Sequence, residues 1–245
     1  MDDLELLIDF HRDGERQGPG GAAETRRAIE FAGLIGKTDL AIADIGCGSG
    51  ASTRVLAQTL DAQITAVDLF PQFLEKLNGV SDTITMLTAS MDALPFKDAS
   101  LDAIWSEGAI YNLGFEAGIR DWRRFLKPGG VLAVSELTWF TQKRPQELTQ
   151  HWQAQYPEVD TAAEKISRLE KHGYALLGYF PLPPSCWLEN YYGPMQARFP
   201  AFLERHAQSA AAQAIVAAEQ AEIALYERYS AYFGYGFYIA RKTED

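Results

Sequence analysis

Three glycines alternate behind an acid in the run Asp44-Ile45-Gly46-Cys47-Gly48-Ser49-Gly50. An apolar strand pattern, Leu40–Ile45, precedes them and a helical pattern, Ala51–Leu60, follows. Glycines at such a turn permit positive φ and let the main chain approach a ligand closely. The helix start behind offers free N–H groups and about half a positive charge. This suits an adenosine cofactor of more than one kind. Gly46-x-Gly48-x-x-Ala51 with Asp68 about 20 residues on also satisfies the relaxed dinucleotide fingerprint, so nicotinamide chemistry is one alternative.

Three acids accompany the turn. Asp44 stands just ahead of it, where a carboxylate can orient the loop and accept from a ligand amino group; dinucleotide fingerprints need no acid there. Asp68 ends Thr65-Ala66-Val67-Asp68 and can accept both ribose hydroxyls, roughly 1.5–3 kcal/mol per charge-assisted bond. Asp92, in Ser90-Met91-Asp92, can accept from an exocyclic amine while Met91 packs on the ring. Acids after three successive strands converge on one sheet edge, the ligand edge of open α/β folds.

The elements that must position them alternate. Strands are expected at 40–45, 63–67, 84–88, 101–106 and 131–136, with helices at 51–60, 71–78 and 119–125. This βα rhythm implies a mostly parallel sheet with right-handed crossovers. Ahead of it lie two helices, 1–17 and 24–35, separated by Gly18-Pro19-Gly20-Gly21. After Glu136 the rhythm loosens. A helix is expected over 161–172, a strand over 175–181, a proline- and aromatic-rich loop over 181–200, one long Ala- and Glu-rich helix over 202–232, and a final strand over 235–241. The chain reads as a single domain over 1–245: N-terminal lid helices (about 1–36), a cofactor-binding core (about 37–136), and cap insertions (about 137–160 and 181–232).

At this point the chain resembles the class I S-adenosylmethionine (SAM)-dependent methyltransferases. The resemblance rests on 44–50, on Ala66-Val67-Asp68-Leu69, on the 89–106 stretch with its Leu94-Pro95-Phe96, and on Phe125-Leu126-Lys127-Pro128-Gly129-Gly130 leading to Glu136. It spans about 40–140 and looks like the small-molecule branch that includes quinone- and sterol-type enzymes. It implies a Rossmann-like three-layer α/β/α sandwich, a seven-stranded sheet whose last strand is antiparallel, and SAM as cofactor with S-adenosylhomocysteine as product. It further implies that Asp44, Gly46 and Gly48, with Cys47 between them, approach the amino-acid part. Asp68 then takes the ribose, Leu69 flanks the adenine, Met91 and Asp92 hold it, and Ser106 lies beneath the methionine moiety. Thr25 and Arg26 would reach the cofactor carboxylate. A SAM-binding subunit without catalysis is a further alternative.

Candidates for the chemistry come from the end of the fourth strand and from the cap. Glu107 can bind a cationic amine or act as base, and Tyr111, four residues on, shares its face if a helix begins there. His151 is the one histidine in an insertion and a further candidate base. Trp139, Trp187, Tyr191, Tyr192 and Arg198 can line an acceptor pocket or simply cover the sheet. No histidine has metal-ligand spacing, so no metal is expected.

The net charge is −11, which repels phosphate backbones and argues against nucleic-acid partners. The Arg120, Arg123, Arg124, Lys127 cluster reads as a solvated helical face. Two cysteines, no apolar run of membrane-spanning length and an acidic start without a signal pattern point to a cytoplasmic enzyme off the membrane. The partner expected is a small-molecule acceptor, with a homodimer contact as the alternative role for the 202–232 helix.

Overall fold

A computed structural model describes residues 3–244. Two helices come first, α1 (Asp3–Arg12) and α2 (Ala22–Ala32). Then β1 (Leu40–Ile45), α3 (Ala51–Thr59), β2 (Ala62–Asp68), α4 (Pro71–Leu74), β3 (Ile84–Thr88), β4 (Leu101–Glu107), α5 (Phe115–Trp122) and β5 (Leu126–Trp139) complete the alternating part. The chain continues through α6 (Gln146–Gln155), the two-residue β6 (Asp160–Thr161), α7 (Ala162–Lys171), β7 (Tyr174–Pro181), α8 (Pro184–Trp187), α9 (Gly193–Arg205), α10 (Ala210–Tyr229) and β8 (Phe233–Lys242).

The sheet order is β3-β2-β1-β4-β5-β8-β7, with β6 added on β5. β1 to β5 pair in parallel, and β8 runs antiparallel to both β5 and β7. The order turns back at β1, which places a crevice outside the carboxyl ends of β1 and β4. Strand residues alternate between two cores, as a period of two requires. Ile42 and Trp105 join the core under α1, α2, α3 and α8 to α10. Ala43 and Ile104 join the one under α5 and α7. This is the expected three-layer α/β/α sandwich.

Two expectations for the C-terminal half are corrected. The 181–200 loop is mostly helical: α8, a π-type turn over Leu188–Tyr192, then α9. Pro184 and Pro194 stand in first turns, where the missing N–H costs nothing, so they start helices rather than break them. The single 202–232 helix is two. Ala207 and Gln208 take left-handed φ of 51° and 56°, and Ser209 caps α10 by accepting from Ala212 N at 3.3 Å. Alanine-rich periodicity alone does not register such a stop. The buried face of α10, with Val216, Ile223 and Tyr226, packs into the first core.

The basic cluster is paired. Arg120 meets Asp121, Arg124 meets Asp98, and Lys127 meets Asp102 at 2.7 Å; Arg123 donates to the Gly173 and Thr243 carbonyls.

Beyond the strand core, β5 carries Glu136 into a fully buried ion pair with Lys165 of α7, 3.8 Å apart. Burial drives both toward neutrality, raising Glu136 and lowering Lys165, while their mutual attraction opposes it. Further bonds make the pair tolerable. Leu137 N and the Tyr156 hydroxyl donate to Glu136; Lys165 donates to the Glu158 carbonyl at 3.2 Å and sits 4.4 Å above the Phe115 ring. Removing one partner strands the other charge. Lys165→Met is therefore expected to cost roughly 3–5 kcal/mol, a thermal midpoint lower by about 6–20 °C. The double variant Lys165→Met/Glu136→Leu should lose clearly less, as calorimetric melting would show.

Candidate active site

The turn after β1 is held from beneath and from above. Gly46 N and Cys47 N donate to the Val67 carbonyl at 2.8 and 3.0 Å, which locks the turn to β2. Gly46 and Gly48 have φ of +69° and +54°, where a side chain is strained. Space forbids one as well. A Cβ on Gly46 would strike the Ala109 methyl, and one on Gly48 would strike the Gln17 carboxamide.

Gln17 belongs to the segment between α1 and α2, which crosses over the turn. Its Oε1 accepts from Ser49 N at 2.7 Å, and Ser49 Oγ donates to the Gly14 and Glu15 carbonyls. Lys76 adds a bond to the Gly14 carbonyl. The far side of the same segment is tied to β4. Glu107 accepts from Arg16 at 3.3 Å, Thr25 at 2.6 Å and Trp105 at 2.9 Å. Three donors at one carboxylate bind the N-terminal arm to the sheet edge.

The three acids have different environments. Asp44 is fully buried. Its Oδ2 accepts from Ser52 and Thr53 at 2.7 and 2.6 Å, while Oδ1 has no partner. Burial pushes its pKa up to about 7; the two hydroxyls pull it down, and the Glu107 charge adds a smaller upward push. Asp68 accepts from Gly48 N at 2.8 Å and Phe70 N at 3.0 Å; burial raises its pKa, against these bonds and one from the Leu69 main chain. Asp92 is exposed. Its neighbour Met91 is fixed through its carbonyl, which accepts from the Trp122 indole at 2.9 Å.

Between arm and sheet lies a cavity of about 410 Å³. Gly46, Cys47, Gly48, Asp68, Leu69, Met91, Asp92, Glu107 and Tyr111 all line it. A second cavity, about 360 Å³, meets it at Gln17, Gly18, Pro19 and Tyr111. Its walls come from the cap: Trp152 and Tyr156, Trp187 and Tyr191, Tyr235 of β8, and Glu219 and Glu222 of α10.

Several expected site residues lie elsewhere. Asp44 and Ser106 are buried beneath the first cavity rather than in its wall, and the Ser106 hydroxyl has no partner. Arg26 is corrected. Thr25, Ala28 and Ile29 take the buried face of α2, so Arg26 falls on the exposed face and reaches back to the Ala22 carbonyl. Arg16 takes the position over the cavity instead. Trp187 and Tyr191 line the second cavity, but Tyr192 stands behind it, its hydroxyl 2.9 Å from Glu222. Trp139 faces a separate surface cleft, donating to the Val159 carbonyl with Arg144 over its ring. Arg198 lines neither cavity and donates to the Pro194 carbonyl. His151 packs edge-on against Trp152 outside both.

Sequence reasoning missed Arg16, Gln17, His11, Glu219 and Glu222. A signal for the last two existed: on a helix of alanines, acids three apart share a face. Arg16 and Gln17 directly precede the Gly18-Pro19-Gly20-Gly21 turn, within the 1–36 segment read from the sequence as a lid.

Comparison with known proteins bears on this region. Residues 43–134 match the family described as a methyltransferase domain. The malonyl-[acyl-carrier protein] O-methyltransferase of Dechloromonas aromatica is 31% identical over 130 residues, covering 52% of this chain and 48% of that protein. The demethylmenaquinone methyltransferase of Tropheryma whipplei is 36% identical over 100 residues, covering 40% and 41%. The matches thus span about half the length of these relatives, or less. A solved SAM-dependent methyltransferase from Geobacter sulfurreducens, in complex with S-adenosyl-L-homocysteine, superposes with a TM-score of 0.83 at 17% identity, covering 96% of this chain and 97% of that one. The fold is that of the class I methyltransferases.

The Asp44 environment has a pH consequence. Its folded pKa lies above its ordinary value of 3.8, at about 7. The stability it contributes is therefore complete below the unfolded value and lost as pH rises through about 7. Between about pH 5 and about pH 8 the urea midpoint of Asp44→Asn is expected to fall less than that of the native protein. Equal slopes would show that Asp44 keeps an ordinary pKa.

Proposed function

We propose that the chain transfers the methyl group of SAM to a small-molecule acceptor and releases S-adenosylhomocysteine. The observation that carries this reading is the convergence, at one cavity, of the glycine turn, Asp68 and Met91-Asp92, all within the segment that matches the methyltransferase domain family. Because the match includes the turn itself, methyl transfer is preferred to nicotinamide chemistry.

The residues fit the cofactor. Asp68 accepts from the turn at Gly48 N and from Phe70 N just after β2, and keeps further lone pairs for the ribose hydroxyls. Met91 and Asp92 suit the adenine, with Leu69, 54% exposed, at the rim. The partnerless Asp44 Oδ1 lies under the main chain that would face the amino-acid part, where a buried acceptor lacking a donor is costly and an ammonium group, directly or through water, can relieve it. Arg16 stands where a carboxylate needs a cation. The missing Cβ atoms at Gly46 and Gly48 keep the main chain open to close approach.

SAM supplies an electrophilic sulfonium methyl. The chain's task is then to hold donor and acceptor in line, which can be worth roughly 7–11 kcal/mol. Gln17, Gly18, Pro19 and Tyr111 line both cavities, which supports placing the acceptor in the second one. Glu107, with three donors already bound, serves as a positioning residue for the arm and Arg16 rather than as a base. Tyr111, 40% exposed at the junction, can donate to the acceptor. No helix among the described residues is long and apolar enough to cross a membrane. Both cysteines are free and buried, which supports a reducing, cytoplasmic setting.

Asp68→Ala is expected to weaken S-adenosylhomocysteine binding at least about tenfold, roughly one charge-assisted bond, by isothermal calorimetry. Asp68→Asn, which keeps an acceptor oxygen, should lose less. Unchanged affinity in both would remove Asp68 from the ribose site. Transfer of labelled methyl from SAM into a metabolite mixture is the direct test of activity; cofactor binding without any transfer would favour the non-catalytic alternative.

A further inference from the structure

We infer that the acceptor is an amine, cationic in neutral solution, held in the cavity between α1, α6 and α10 by aromatic faces and by Glu219 and Glu222. This rests on the methyl-transfer reading and names the substrate class of the same site.

Shape and charge argue together. The cavity is walled by the rings of Trp152, Tyr156, Trp187, Tyr191 and Tyr235, and aromatic rings attract alkylammonium groups that reach their faces. Two carboxylates, one turn apart on α10, face into it. Glu219 lies 3.7 Å from His11, and Glu222 accepts from the Tyr192 hydroxyl at 2.9 Å. Glu222 lines the cavity wall and is also open to solvent. The basic groups beside the pair are histidines: His11 next to Glu219, and His151, whose charge favours ionised Glu222. Burial drops the His11 pKa to about 4, aided by Arg198, and leaves the ring neutral near pH 7; its Nδ1 has no partner. Burial and the neighbouring Glu222 raise Glu219 to about 7, and burial raises Glu222 as well. Like charges crowded on one cavity wall disfavour joint ionisation, and a cation between them favours it. An ammonium ligand relieves both and reaches the cofactor cavity through Tyr111.

The reaction makes the same demand. The ammonium yields one proton to Glu219, which frees the nitrogen lone pair. That pair forms the new N–C bond as the methyl C–S bond breaks, and the C–S electrons stay on sulfur. Positive charge leaves the sulfonium and appears on nitrogen, inside the acidic and aromatic cavity. Groups that stabilise charge where it develops accelerate the transfer itself.

The test uses the whole protein saturated with S-adenosylhomocysteine, with choline as probe and its uncharged dimethylbutanol isostere as control. Trp152 and Trp187 in the wall supply the fluorescence readout. Choline is expected to bind saturably and at least about tenfold tighter than the isostere. Glu219→Gln and Glu222→Gln should each lose at least about tenfold of choline affinity while S-adenosylhomocysteine affinity stays the same. Equal binding of choline and isostere would assign the cavity to an apolar acceptor and overturn the inference, as would absence of choline binding to the cofactor-loaded protein. If S-adenosylhomocysteine itself does not bind, the methyl-transfer reading falls and takes this one with it. The native-protein comparison of charge against isostere decides even if a variant fails to fold.

Discussion

The absence of two side chains at the end of β1 constrains everything around it. Gly46 must be bare because Ala109, just past β4, stands where its Cβ would be, and Gly48 because Gln17 stands over it. Left-handed φ at both positions turns the main chain upward from the sheet, so the turn becomes the floor of the cavity and the seat of the N-terminal arm at once. A methyl group at either position would push the turn from its neighbours and open the edge that Asp68 closes from the other side.

The arm is docked by polar contacts rather than by apolar area. Gln17 meets Ser49, and Arg16 and Thr25 meet Glu107. Such bonds are individually modest, about 0.5–1.5 kcal/mol net, or about 1.5–3 with a charged partner. A cover held that way can open and close with ligand traffic more readily than one sealed by a hydrophobic core. Glu107 therefore belongs to the closure of the site.

Electrostatics divides the interior into two parts. Around the cofactor cavity, acids are balanced by main-chain N–H groups, hydroxyls and Arg16. In the second cavity, Glu219 and Glu222 meet His11, a tyrosine hydroxyl and aromatic rings, with the His151 charge acting on Glu222. The buried Glu136–Lys165 pair beside it is self-contained and holds Tyr156 in the wall through its hydroxyl bond. One fold thus supports a nearly neutral floor for a ligand that brings its own charges, and an acidic chamber beside it.

The sequence by itself determined the alternating core, the glycine turn and the acids after three strands. Each is a local pattern: period-two burial, positive φ that favours glycine, and carboxylates at fixed offsets from strand ends. What only the tertiary structure decided lies wherever two distant segments meet. Arg26 and Arg16 are equally plausible as residues, and the register of α2 against the sheet turned the first outward. Proline-rich 181–200 read as loop because proline at a helix start and proline in a loop look alike without knowing where the helix begins. Glu219 and Glu222 lie far from the glycine turn in sequence, and the stop at Ala207-Gln208 sends α10 back across the cap so that they face Tyr111's end of the cavity. Long-range packing of that kind depends on shape complementarity among many side chains, which no periodicity in a single segment encodes.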